Sequence, residues 1–136
     1  MADIAITAAN VKRVDTTSQA GKYGATIAQG KAVYLDPADN KWKLADANGA
    51  SVDIRRCQGI ALTSGANDQD CTVAIGGVID IGATLTVGEL YVLSATPGGV
   101  APVADLASGM SPAVIGIGTA ANRLQLVLAN ADVVKP

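Results

Sequence analysis

Residues 88–106 read G-E-L-Y-V-L-S-A-T-P-G-G-V-A-P-V-A-D-L, and this stretch decides the fold class. Leu90, Val92 and Ser94 alternate with Tyr91, Leu93 and Ala95, the period of two that sends successive side chains of a strand to opposite faces. Thr96-Pro97-Gly98-Gly99 then turns the chain. Pro97 sets φ at the first corner, and Gly98 can take the positive φ that a type II turn demands at the second. Val100, Ala101 and Val103 begin a return strand, in which Pro102 marks an edge or a break in the ladder because it has no N–H. A weaker copy lies upstream, where Gly30-Lys-Ala-Val-Tyr-Leu35 aligns with Gly88-Glu-Leu-Tyr-Val-Leu93.

The same chemistry recurs outward from this hairpin. Lys31–Leu35 and Lys41–Leu44 read as strands joined by an Asp36-Pro37-Ala38-Asp39-Asn40 turn, with Trp42 and Leu44 inward and Lys41 and Lys43 outward. Asp46-Ala47-Asn48-Gly49 turns again. Val52–Leu62 is expected to be a longer strand that Gly59 bends, and Ser64–Asp70 a polar loop. Cys71–Ile75 and Val78–Ile81 flank Gly76-Gly77, a two-residue hairpin signal. Asp105–Met110 is expected to form one helical or 3₁₀ turn. Pro112–Gly118 and Arg123–Ala129 read as the last clear strand pair, with Leu124, Leu126 and Leu128 inward and Arg123 and Gln125 in water; Val133-Val134 is expected to add an edge strand. Short strands between Gly, Pro and Asn turns, without helical periodicity, predict an all-β fold: a sandwich, a jelly roll or a small barrel.

Domain organisation follows. The 136 residues make one domain by size, with a leading arm. Residues 1–29 hold two small apolar patches, Ile4/Ile6 and Val11/Val14, cut off by Thr16-Thr17-Ser18-Gln19-Ala20-Gly21; an extended arm or a loosely attached edge strand is expected. Residues 30–136 form the β-domain. Its parts 30–81 and 88–134 share a plan, since Gly30…Leu35, Trp42…Leu44 and Gly59-Ile60-Ala61 correspond in order to Gly88…Leu93, Val100…Val103 and Gly116-Ile117-Gly118. Duplication or convergence would each produce this.

Composition restricts function. Phe is absent and aromatics are 3% of the chain, so an apolar fraction of 49% must pack as thin, close layers of aliphatic side chains. The net charge of −2 argues against binding nucleic acid by phosphate neutralisation. No apolar run reaches the length of a membrane span, and Met1-Ala2-Asp3-Ile4 lacks a signal peptide's basic start, so a product of the cytoplasm is expected. With no histidine, the commonest neutral-pH base is missing, and Ser-His-Asp and Cys-His arrangements are excluded.

The remaining candidates for chemistry are thin. Arg55 is the cation placed to activate Cys57, but Cys57 and Cys71 read better as reduced, half-buried small hydrophobes; a disulfide is geometrically possible if their strands are neighbours, and unneeded at this size. Neither Asp36 with Asp39 nor Asp68 with Asp70 supplies the six to eight oxygens of a calcium site. Trp42, Tyr23, Tyr34 and Tyr91 are expected in a core or an interface rather than a ligand groove. No catalytic, cofactor or metal residue is assigned.

Whole motifs resemble the small cement, or decoration, proteins of tailed-bacteriophage capsids. They are Gly30-Lys-Ala-Val-Tyr-Leu-Asp36, Lys41-Trp-Lys-Leu-Ala-Asp46, Gly59-Ile-Ala-Leu62, the run from Leu85 to Pro102, and Val114-Ile-Gly-Ile-Gly-Thr-Ala120. The resemblance covers residues 25–130, and Gly-punctuated phage tail and fibre modules use similar segments. It implies a β-rich structural protein without catalysis. Such a protein forms small oligomers, here a homodimer or homotrimer, sits on the outer surface of the expanded virion shell, and bridges major capsid subunits. A tail or fibre module is the first alternative; a carbohydrate-binding domain is poorly supplied with aromatics, and an enzyme is least expected. On this reading the arm supplies the contacts: Ile4, Ile6, Val11 and Val14 as apolar anchors for a capsid or neighbouring subunit, and Lys12-Arg13 as a basic pair facing an acidic patch. Removing residues 1–22 is then expected to leave a folded domain that binds more weakly.

Overall fold

A computed structural model describes residues 3–132. The fold is all-β, with no helix of seven or more residues among the described residues. The strands are β1 (Val11–Lys22), β2 (Ala32–Asp36), β3 (Lys41–Leu44), β4 (Gly59–Ala61), β5 (Asp70–Ile81), β6 (Leu90–Leu93), β7 (Val100–Pro102), β8 (Ala113–Gly118) and β9 (Arg123–Asn130). They form one antiparallel, curled half-barrel sheet in the order β3-β2-β4-β5-β9-β8-β6-β7, with β1 along the remaining edge of β5.

β5 is the spine. One edge meets β4 at Ala74 and Val73, then β9 from Gly77 to Asp80. The other edge meets β1 along its length, from Lys22↔Asp70 to Val11↔Ile81. The order is symmetric about the β5–β9 pair: β2 lies between β3 and β4 as β6 lies between β7 and β8. Both hairpins are preceded by a glycine at positive φ, Gly30 at 86° and Gly88 at 84°.

The central hairpin forms as its residues direct. Gly98 sits at φ 74°, and the Gly99 N–H donates to the Thr96 carbonyl at 2.9 Å, closing the turn. Pro102 lies at the end of the sheet on β7, where no further ladder needs its missing N–H. The turn also curls the sheet. The Ala32 N–H donates to the Gly98 carbonyl at 2.9 Å, and the Gly98 N–H donates to that of Ala45 at 2.7 Å, stitching β6–β7 to β2–β3. A side chain on Gly98 would collide with Leu44 and Lys31.

Two cores result. The larger gathers Tyr34, Ile60, Ile79, Ile81, Tyr91, Leu93, Val100, Ile115 and Leu124 inside the curl. The smaller holds Tyr23, Ile27, Val33, Trp42, Ala61, Cys71 and Val73. Strand alternation supplies both: Ala32, Tyr34, Ile60 and Ala74 point to the first, and their neighbours Val33, Ala61 and Val73 to the second. Most of β2, all of β4 and Val73-Ala74 of β5 are therefore buried on both faces, which is why these segments read as unbroken apolar runs.

Several expectations are corrected. Gly76-Gly77 makes no hairpin, because β5 runs straight through it. Gly77 instead takes φ 82° between two register shifts against β1, where a side chain would strike the Asp15 carbonyl oxygen. Val52–Leu62 is not one strand: residues 52–55 form turns, and only Gly59–Ala61 pairs. Ile54 there packs on the large core as a loop residue, and a side chain on Gly49 would strike it. The short turn after β7 is 3₁₀ at Val103–Asp105, earlier than Asp105–Met110. Of the two states expected for the leading segment, residues 11–22 take the edge strand, paired along the length of β5, and not the extended arm. Val133-Val134 lies outside the described residues.

Candidate interaction surface

The six residues proposed for contacts separate once β1 is formed. Val11 is buried in the large core, and Ile4 and Ile6 pack against it. The strap that carries them is tied down where the Ile4 N–H donates to the Val100 carbonyl and the Thr7 N–H to that of Gly82, both at 2.8 Å. These three apolar side chains are thus consumed within the molecule. Lys12, Arg13 and Val14 remain exposed. Alternation divides the basic pair: Lys12 lies opposite Asp80 and Arg13 opposite Ile79, so they belong to opposite faces. Val14 is the extra residue at a bulge and is 43% exposed.

Directly paired residues share a face, so the strand registers define a continuous outward row. Asp15 (β1), Val78 (β5), Gln125 (β9), Ile117 (β8) and Leu90 (β6) stand side by side across five strands. Beside it runs a charged row, Lys12–Asp80–Arg123, across β1, β5 and β9. Leu90 is 38% exposed, and Val127, two residues past Gln125, is 48% exposed. Val87, in the turn before β6, is exposed as well. The sequence did announce Arg123 and Gln125 as outward. It held no signal for the strand pairing that sets them beside Val78, Ile117 and Leu90, since pairing joins residues far apart in the chain.

The other candidates are occupied structurally. Lys43 Nζ meets the carboxylates of Asp36 at 2.7 Å and Asp39 at 3.0 Å, Lys41 pairs with Asp68, and Lys22 with Asp70. Every loop acid considered for calcium therefore holds an ammonium group. The hydrogen bond from Lys43 keeps the Asp36 carboxyl below its ordinary range, and that from Lys41 does the same for Asp68. Arg56 grips Asp132 through Nε at 2.7 Å and Nη2 at 3.0 Å, lowering that carboxyl too.

Both cysteines are free and buried, more deeply than expected. Cys57 belongs to the large core and Cys71 to the small one. Burial pushes the Cys57 thiol up to about 12 and raises that of Cys71, which opposes thiolate chemistry. Arg55 donates to the Gly49 carbonyl at 3.1 Å and serves the loop instead. Asn130 brackets Cys57, accepting its N–H at 2.9 Å and donating to its carbonyl at 3.2 Å. All four aromatic side chains, Tyr23, Tyr34, Trp42 and Tyr91, are buried. No family model matches the chain, and no curated protein is significantly similar to it.

Proposed function

We propose that this protein is a structural component of a tailed-phage virion: it binds the outside of the expanded capsid, bridges neighbouring major capsid subunits, associates with copies of itself, and stabilises the shell without catalysis. The observation that carries this reading is the outward row Asp15–Val78–Gln125–Ile117–Leu90. Five strands at roughly 4.8 Å spacing make a face about 19 Å across, with apolar Val78 and Ile117 on either side of Gln125, Leu90 at one end and charge along one margin. Such a face suits docking on a broad protein surface. The motif resemblance supplies the kind of surface. A sugar-binding role is disfavoured because the aromatic side chains that would stack on a ring lie in the cores.

The mechanism is mass action. A ligand that binds the expanded lattice and not its precursor stabilises the expanded state in proportion to the occupancy of its sites. Repetition around the shell multiplies a modest affinity per site. Cosedimentation with expanded heads, unexpanded procapsids and purified tails tests this. Retention by expanded heads alone is the expected result. Retention by tails alone overturns it in favour of a tail or fibre module, and retention by none overturns both.

A further inference from the structure

The sheet meets two of its strand edges with its own chain and leaves a third open. Beyond β3, the Gly24 N–H donates to the Trp42 carbonyl at 2.8 Å, and beyond β7 the Ile4 N–H donates to the Val100 carbonyl at 2.8 Å. Along β1, among the described residues, no backbone hydrogen bond joins residues 12–22 to the backbone of any segment but β5. The Tyr23 N–H turns toward β5, to the Gln69 carbonyl, and that of Gly24 turns away from it. By alternation, the backbone groups of Thr16, Ser18 and Ala20 therefore point off the open edge. Lys12, Arg13 and the bulge at Val14 guard the start of β1, since charge and bulges discourage a strand from adding there. Thr16-Thr17-Ser18-Gln19-Ala20 carries neither charge nor proline.

We infer that this edge pairs with the same edge of a second copy of the chain, antiparallel, about a two-fold axis at Thr17. Such an axis stands perpendicular to the sheet, so residues set opposite each other share a face. Lys12, Asp15, Thr17 and Gln19 share one face of β1 and Arg13, Thr16, Ser18 and Ala20 the other, with Val14 as the extra residue. Thr17 then faces Thr17 of the second copy, Thr16 faces Ser18, Asp15 faces Gln19 and Arg13 faces Ala20. Hydroxyls meet hydroxyls, the long Arg13 meets a small residue, and no charge opposes its like. Moving the axis to Ser18 would instead set Arg13 against Lys22. The two Thr16–Ser18 pairs exchange the backbone hydrogen bonds that the open edge lacks. Because the edge complements itself in this way, a second copy fits it better than an unrelated strand. The axis also keeps both outward faces on one side, doubling the face offered for docking. The dimer gives the self-association proposed above its surface and rests on that part of the reading alone, with no capsid required.

Sedimentation equilibrium of the isolated full chain tests this apart from head binding. Expected is a reversible dimer. Thr17→Lys sets two ammonium groups across the axis and should weaken dimerisation about fivefold or more. Thr17→Glu repels its own copy in the same way and should weaken it likewise. Gln19→Lys, two residues along on the same face, meets Asp15 of the second copy and should dimerise at least as well as the parent, the more so at low salt. Thermal melts of the variants should match the parent's, because Thr17 and Gln19 are both exposed. A monomer at every concentration overturns the inference, as does a closed trimer, which a two-fold pairing cannot build. A dimer unchanged by Thr17→Lys and Thr17→Glu, or one weakened equally by Gln19→Lys, overturns it as well. Retention on expanded heads of a chain that stays monomeric would end the edge pairing and leave the capsid reading standing.

Discussion

Trp42 shows how one residue's position follows from its neighbours. Lys41 and Lys43 bind carboxylates at the surface, so the indole between them must take the other face of β3, where it is 3% exposed in the small core. It lies across from Leu35 on β2 and is covered by the returning chain, where the Gly24 N–H donates to its carbonyl at 2.8 Å. Gly21 leaves the space, since a side chain there would press on the indole ring. Trp42→Ala is expected to cost about 3–5 kcal/mol in urea unfolding, the range for deleting a buried aromatic. A loss below about 1 kcal/mol would contradict this packing. At this scale the sequence was highly legible: Trp42 inward, Gly98 at positive φ, Pro102 at an edge and Leu124/Leu126 inward each follow from local sterics or alternation. Gly76-Gly77 was misread because a glycine at positive φ serves a bulge as well as a hairpin. Only the partner strand distinguishes the two.

Elements show where local reading runs out. β1 looked like an arm because its side chains are small and polar. Its stabilisation comes from the β5 ladder, which hydrophobic patterning does not report. It is the edge partner of the longest internal strand, and the strap before it delivers Val11, Ile4 and Ile6 to the large core. Deleting residues 1–22 is therefore expected to abolish cooperative unfolding, contrary to the expectation of an independent domain. Thermal melts followed by circular dichroism check it; a truncated chain with a sharp transition would return the segment to a dispensable arm. The β2–β3 hairpin gives a pH prediction. Lys43 and Lys41 hold Asp36 and Asp68 below the ordinary carboxylate range, as Arg56 holds Asp132, so the folded state binds fewer protons than the unfolded state there. Their contribution is complete above about pH 4–5 and is lost as pH falls through the lowered folded values. The melting temperature should thus decline on acidification below that range. Added salt should shrink the decline, because these pairs are partly exposed. A flat profile would show that the pairs add nothing.

For the whole molecule, the sheet order around β5 and β9 determines which outward residues stand together, and the candidate face is a property of that order. Alternation told that Arg123 and Gln125 point to water, while Val78, Ile117 and Leu90 joined them only when three separate pairings aligned. The contact residues read from the sequence fared accordingly: Lys12 lies on this face, Arg13 falls on the other, and Ile4, Ile6 and Val11 are spent on the core. The face predicts a separation of stability from binding. Leu90 and Ile117 stand opposite each other on the outward side, with Leu90 38% exposed, whereas their inward neighbours Tyr91 and Gly116 are buried. Replacing Leu90 and Ile117 with Glu puts two carboxylates where they stay hydrated, so melting should change little for Leu90→Glu and somewhat more for half-buried Ile117. Binding should respond quite differently, because a carboxylate desolvated within an apolar contact has no counter-charge. Leu90→Glu alone is expected to weaken retention on expanded heads about tenfold or more, about 1.4 kcal/mol. Thr26→Glu, an exposed site on the segment that covers the small core, should leave retention unchanged. Equal retention of Leu90→Glu and the parent chain, with both folded, would move the contact off this sheet face.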